Sequence, residues 1–284
     1  PGYFCPENTD QFSHHPCPNG TYSNYTGLQS ESNCTSCDPG RVCNGLALTQ
    51  PNGDCAPGYY CASGASTDKP ADGGLTGNPC PEGAYCPGAT GTPIPCPNGQ
   101  FMNRTGYAEC FDCPAGYYCT NAQEPLLCTK GYYCPGNTTA DLSPCPRGTY
   151  NPILGARYES DCKPCAGGYY CDKLAAVDFD PSLNNTGVGL CSAGFYCKSG
   201  VNVSNPTDGT TSGLGGPCPA GSYCLQGTED PTPCPNTTYR DTTGAASLAD
   251  CIPCKLGQYC GSENLTDATG PCQRGFYCYR GNNV

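Results

Sequence analysis

The 284-residue sequence has no Trp, one Met and two His, and Leu, Ile, Val and Phe together make up only about 11% of it. A chain with less than about 20% of these residues and appreciable charge does not build an ordinary core. At about 25 cal/mol per Å² of buried apolar surface, its burial cannot offset the entropy of ordering the backbone. Basic residues are scarce as well: 13 Lys and Arg stand against 24 Asp and Glu, a net charge of −11. That excludes the basic footprint of a nucleic-acid binder or of a protein held on an anionic membrane surface. The longest apolar runs are scraps such as KLAAV at 173–177, so no membrane insertion by this segment is expected. No signal peptide is visible and the first residue is not Met, so the sequence reads as a mature or excised piece.

Catalytic and metal chemistry are missing too. His14 and His15 are adjacent and point apart in an extended chain, and no other His exists to serve any other region. No Ser or Cys nucleophile has a recurring base partner, so no enzyme and no catalytic residue is expected. Four C-x-x-C steps (Cys34–Cys37, Cys110–Cys113, Cys162–Cys165, Cys251–Cys254) have the spacing of half a zinc site. They lack the second ligand pair and the free thiolates that zinc requires. Asp178 and Asp180 lack the loop pattern of a dedicated calcium site. No metal and no cofactor is expected.

What the chain does have is 29 Cys, 30 Pro and 39 Gly. Cysteine at about one residue in ten marks a disulfide scaffold in an oxidising compartment, extracellular, secreted or at the cell surface. The cysteines recur in one seven-residue phrase: CAPGYYC at 55–61, CPEGAYC at 80–86, CPAGYYC at 113–119, CTKGYYC at 128–134, CAGGYYC at 165–171, CSAGFYC at 191–197, CPAGSYC at 218–224, CKLGQYC at 254–260 and CQRGFYC at 272–278. Pro presets a turn, Gly supplies a positive φ, and the aromatic has a rigid disulfide to pack against. A catalytic constellation is needed once; a phrase repeated this often is construction material. The fold expected is a set of small disulfide-rich repeats, an elongated rod of short β-hairpins and loops with almost no hydrophobic core, each touching mainly its neighbours.

A longer period overlies the phrase. Cys17, Cys34, Cys37 and Cys43 map onto Cys145, Cys162, Cys165 and Cys171, and GNPCPEGAYCPGATGTPIPCPNG at 77–99 parallels GGPCPAGSYCLQGTEDPTPCPNT at 215–237. Two superrepeats follow, 17–144 and 145–284, with 1–16 as the tail of a preceding repeat. Each superrepeat combines C-x5-C rings with two longer loops, at 17–34 and 96–110 in the first and at 145–162 and 234–251 in the second.

Connectivity is not normally legible from spacing, but the rings vary in number and in spacer length, and a unit added singly most simply pairs its own cysteines. That local scheme gives Cys37–Cys43, Cys55–Cys61, Cys80–Cys86, Cys113–Cys119, Cys128–Cys134, Cys165–Cys171, Cys191–Cys197, Cys218–Cys224, Cys254–Cys260 and Cys272–Cys278. The long loops close as Cys17–Cys34, Cys96–Cys110, Cys145–Cys162 and Cys234–Cys251, and Cys5 is left without a partner within the chain. A shifted scheme (Cys5–Cys17, Cys43–Cys55, Cys61–Cys80 and onward) also balances and strands Cys278 instead. It forces tight bridges such as Cys34–Cys37, a spacing more typical of redox motifs.

CPNGTYSNYTGLQSESNCTSCDPG at 17–40, with its counterparts at 96–119, 145–171 and 234–260, resembles the ephrin-receptor-like cysteine-rich repeat. The long loop is also similar to the first half of a tumour-necrosis-factor-receptor module, which implies the Cys17–Cys34 closure. Modules of this kind occur in receptors, in secreted matrix-like proteins and in large surface proteins of algae and other protists, including the glycosylated fibres of flagellar hairs (mastigonemes). The resemblance therefore implies either a structural segment of an extracellular glycoprotein filament or the stalk or ligand-binding ectodomain of a receptor or secreted protein. In the first case its partners are copies of itself or flanking repeats.

Nine N-x-S/T sequons stand at Asn19, Asn24, Asn33, Asn103, Asn137, Asn184, Asn202, Asn236 and Asn264. Asn24 and Asn103 both lie seven residues after the first Cys of a long loop, and Asn19 matches Asn236, so the sequons run in phase with the repeat and N-glycosylation is expected. The Ser-Pro and Thr-Pro steps at 92–93, 143–144 and 232–233 are candidate O-glycan acceptors, on Thr or on hydroxyproline.

Overall fold

The computed structural model describes residues 1–120, 122–140, 142–178, 187–207 and 213–278. Among these residues there is no α-helix. The regular structure is thirteen two-stranded antiparallel ribbons, two or three residues to a strand, and four single turns of 3-10 helix. The chain divides into two units, one formed by Pro1–Leu127 with Pro135–Asp141 and the other by Cys128–Cys134 with Leu142–Val284.

The local fold follows from the phrase. Its second to fifth residues make a tight turn in which the amide of the fifth returns to the carbonyl of the second, as in Tyr59 N to Ala56 O (3.1 Å) and Tyr117 N to Pro114 O (3.1 Å). The fourth residue is in the left-handed region, at φ 86° in Gly58 and 81° in Gly168, where glycine carries no Cβ penalty. The last residues of the phrase form a strand, and the spacer returns to pair with it: Tyr59–Cys61 with Gly77–Pro79, Tyr169–Cys171 with Val188–Leu190. In eight ribbons the return strand ends on Pro immediately before the next Cys, as at Pro79, Pro95 and Pro233. Proline has no N–H to offer, so further pairing on that edge is blocked.

Successive phrases are interlocked by backbone hydrogen bonds. The fourth-position glycine donates to the carbonyl of the next closing Cys, and its own carbonyl accepts from the next opening Cys. In the first unit these are Gly40 N to Cys61 O (2.8 Å) and Cys55 N to Gly40 O (2.9 Å). In the second they are Gly168 N to Cys197 O (2.8 Å) and Cys191 N to Gly168 O (2.9 Å). A second pair runs to the turn beyond the next ring: Cys43 N to Ala65 O and Gly64 N to Cys37 O, both 2.9 Å, or Cys171 N to Val201 O (3.0 Å) and Gly200 N to Cys165 O (2.9 Å). The main-chain groups at these turns are thereby paired, as buried peptide groups must be.

The core is small and mostly half-cystine. Apart from cysteines, the buried hydrophobic residues among those described are Val42, Ala65, Ala84, Met102, Ala156, Ala176, Val201, Tyr239 and Ala245. The sixth-position aromatic of one phrase packs against the next disulfide: Tyr60 against Cys80 and Cys86, Tyr150 against Cys165 and Cys171, Tyr170 against Cys191 and Cys197. Burial therefore supports the disulfides from ring to ring, without one central core.

Candidate functional site

The structure joins Cys17 to Cys34, Cys96 to Cys110, Cys145 to Cys162 and Cys234 to Cys251 across the long loops. It joins Cys37 to Cys43, Cys55 to Cys61, Cys80 to Cys86, Cys113 to Cys119 and Cys128 to Cys134. The remaining short rings are Cys165–Cys171, Cys191–Cys197, Cys218–Cys224, Cys254–Cys260 and Cys272–Cys278. Their Cα atoms lie between 5.7 Å (Cys37–Cys43) and 6.2 Å (Cys165–Cys171) apart, within the range an unforced disulfide spans. Cys5 is free and exposed. It follows Gly2 (φ 80°) at the closing position of the phrase, and Gly2 N bonds Ser23 O at 2.8 Å as the other glycines bond their next ring.

The long loops begin with the same turn as the rings but place another residue where the ring closes: Ser23, Met102, Asn151 and Arg240. Met102 and Asn151 are wholly buried there. Asn151 is held by its Nδ2 donating to Tyr132 O (2.9 Å) and its Oδ1 accepting from Ile153 N (3.1 Å). Composition gave no sign of these residues; aligning CPNGTYS with CPAGYYC would have shown them.

Eight of the nine sequon asparagines fall in the described residues, all exposed except Asn202, which is half-buried; Asn184 lies outside them. Several also have a structural duty. Asn19 Oδ1 accepts from Gly45 N (2.9 Å). Asn137 (φ 64°) and Asn264 (φ 60°) occupy the left-handed turn position that Gly64 and Gly200 fill elsewhere, bonding the carbonyls of Cys113 and Cys234. Asn tolerates that conformation better than other side chains. Asn33 closes a 3-10 turn, its Oδ1 accepting from Ser30 N (3.1 Å). Of the candidate O-glycan positions, Thr92 and Thr232 are exposed and Ser143 is half-buried in a ribbon.

Asp161 and Asp250 stand where Asn33 does, one residue before the long loop closes. Asp161 Oδ2 accepts from Arg157 N (2.7 Å) and Tyr158 N (3.1 Å); Asp250 Oδ2 accepts from Ala246 N and Ser247 N, both 2.8 Å. These backbone donors hold both carboxyls below their ordinary range. A depressed folded pKa contributes stability above the unfolded pKa, and that stability is lost as pH falls through the folded value. Acidification below about pH 4 should therefore loosen the caps of the 145–162 and 234–251 loops while the neutral Asn33 cap of 17–34 holds. An NMR titration should show the Tyr158 and Ser247 amides shifting together with their carboxylates and Ser30 staying flat. A parallel shift of Ser30 would contradict this.

The same duty bears on the Asn33 sequon. Asn33 closes the 3-10 turn, Cys34 is bridged to Cys17 and Thr35 pairs with Tyr22, so the folded loop holds this tripeptide in one fixed conformation. Glycopeptide mapping of secreted protein should find Asn33 largely bare beside an occupied Asn24, and Cys17→Ser should raise its occupancy. Equal occupancy in the unaltered protein would refute the argument.

Among the described residues no group of three or more His, Cys, Asp or Glu side chains is placed to hold a metal ion. His14 lies 3.8 Å from Asp10, both exposed. Asp178 lies in the described part and Asp180 outside it. No helix among the described residues is long and apolar enough to cross a membrane.

No family model matches the chain. Across 67% of its length it is 33% identical to Signal peptide, CUB and EGF-like domain-containing protein 3 of Mus musculus, covering 18% of that protein. Across 44% it is 30% identical to ABC transporter G family member 28 of Arabidopsis thaliana, covering 14% of it. Across 84% it is 26% identical to Cysteine repeat modular protein B of Toxoplasma gondii, covering 4% of it. The chain thus spans less than a fifth of the length of these relatives. Fourteen disulfides in short interlocked ribbons persist only where thiols oxidise, and together with these likenesses they make the chain a cysteine-rich repeat protein of the extracellular type.

Proposed function

We propose that the chain is a structural segment of an extracellular glycoprotein filament, of the kind that forms flagellar hairs or a cell coat, built from ephrin-receptor-like repeats. The observation that carries this reading is the interlocking itself. Within each unit successive rings bind one another through the backbone, and among the described residues no group of three or more His, Cys, Asp or Glu side chains converges at the surface. The sequons recur in phase with the rings, as cladding on a repeating fibre would. Flanking repeats or further copies of the chain are the partners, and their contacts are backbone bonds of the same type as those between rings.

One observation favours a second reading. The likenesses cover only small parts of long modular proteins, which suits a stalk or ectodomain segment that spaces ligand-binding modules of a receptor or secreted protein. Immunogold labelling of native cell surfaces separates the two. Label in rows along fibres supports the filament. Label on isolated surface particles, together with a saturable ligand on the purified protein, replaces it with the stalk.

A further inference from the structure

We propose that a polar groove beside Asn103 seats the first sugar of an N-linked glycan carried on that asparagine, so that this glycan is a packed part of the fold and not a free tassel. The proposal rests on the glycoprotein reading above. The groove, about 230 Å³, is lined by Glu82, Asn103, Gln123 and Glu124. That is below the roughly 300–1,000 Å³ of pockets that enclose drug-sized ligands, and matches one pyranose ring with an acetamido arm, not an extended oligosaccharide.

The lining is put in place by the ladder. Gly83 N donates to Met102 O (2.8 Å), and Met102 N donates to Ala122 O (2.7 Å). Glu82, Asn103 and Gln123 are each one residue from a member of that bonded trio, so three successive rungs bring them to one edge. Gln123 lies across Gly83 closely enough that a Cβ added there would stand 3.3 Å from its Cγ. Met102 is wholly buried beneath and is bonded on both sides, which fixes the attachment point. The chemistry suits an N-acetylhexosamine: the Glu82 carboxylate would accept from ring hydroxyls, and Glu124 and Gln123, beside the partners they already have in the fold, keep further capacity, the carboxylate to accept and the carboxamide to donate and accept.

Asn24 supplies the internal comparison. It occupies the same place in its own loop, with Ser23 bonded by Gly2 N (2.8 Å) and bonding Leu48 O (2.9 Å). The residues that take the places of Glu82, Gln123 and Glu124 there are Pro1, Thr49 and Gln50, so neither carboxylate of the groove has a counterpart.

The test uses the full chain secreted from a glycosylating eukaryotic host, digested natively with peptide N-glycosidase and followed site by site by mass spectrometry. The Asn103 glycan is expected to be released at least tenfold more slowly than the Asn24 glycan, and equally fast once the protein is reduced and denatured. Glu82→Ala with Gln123→Ala should bring Asn103 to the Asn24 rate while the Asn24 rate is unchanged. Glu82→Gln, which keeps size and shape, should fall between and guards against a variant that fails to fold. Equal native rates at the two sites overturn the proposal. A bare Asn103 beside occupied Asn24 and Asn236 overturns it and leaves the glycoprotein reading standing, whereas bare asparagines throughout overturn both.

Discussion

Reduction of the disulfides is expected to unfold the whole chain at room temperature, with no ribbon surviving. Each short ring restricts the unfolded chain by about 2 kcal/mol and each long loop by about 3 kcal/mol on the loop-entropy estimate. Little else opposes unfolding, because among the described residues most of the buried hydrophobic ones other than half-cystines are alanine or valine. Tyr60, Tyr150 and Tyr170 pack on disulfides, so their burial is lost when the disulfides open. Hydrogen exchange should show the amides of Gly40, Gly58, Gly168 and Gly194 protected in the oxidised protein and unprotected after reduction and alkylation. Protection that survives reduction would mean that the ribbons hold by packing alone. A peptide map of the unreduced protein tests the pairing at the same time: Cys128–Cys134 and Cys96–Cys110 are expected, and recovery of Cys43–Cys55 would establish the shifted scheme.

The hairpin class was legible because the phrase carries its own turn chemistry. A turn-forming glycine at positive φ inside two cysteines six apart leaves few other local structures, and nine of the thirteen ribbons start from such a ring, the other four from the same turn at the head of a long loop. The links between ribbons were not legible. They are backbone bonds such as Cys43 N to Ala65 O, to which side chains contribute only by being small enough, and Ala65, Ala176 and Val201 look like unremarkable spacer residues in the sequence. Asn151 was invisible for a related reason: its carboxamide takes over at a position where the rings have sulfur. The sequons were legible as a pattern, but the pattern did not show that Asn33, Asn137 and Asn264 already serve a cap or a left-handed turn. For those three a structural role accounts for the asparagine without a sugar, and Asn24, Asn103 and Asn236 are the sites where the glycan proposal stands by itself.

Gly40→Ala is expected to be far more damaging than Gly73→Ala, although both glycines have nearly the same backbone conformation, φ 80° and 78°. The left-handed region alone costs an alanine about 1–2 kcal/mol, and at Gly73 that is the whole effect, since an added Cβ meets nothing within 4 Å. At Gly40 the Cβ would stand 2.3 Å from the carbonyl oxygen of Ala89. That oxygen cannot simply swing aside, because Ala89 is itself left-handed (φ 61°) and its amide is bonded to Cys55 O at 2.9 Å. Relieving the overlap means separating the two rungs, which breaks Gly40 N to Cys61 O and Cys55 N to Gly40 O together. Overpacking of this kind adds about 1–3 kcal/mol to the conformational cost. Because each ring is bonded chiefly to its sequence neighbours, the damage should stay local. Hydrogen exchange should show the amides of Gly40, Cys55, Cys61 and Ala89 losing protection by two or more orders of magnitude in Gly40→Ala, with those of the 165–201 rings unchanged. In Gly73→Ala the same amides should keep theirs. If the two variants lose protection equally, the glycines serve only the turn, and close approach of the next rung is not what selects them.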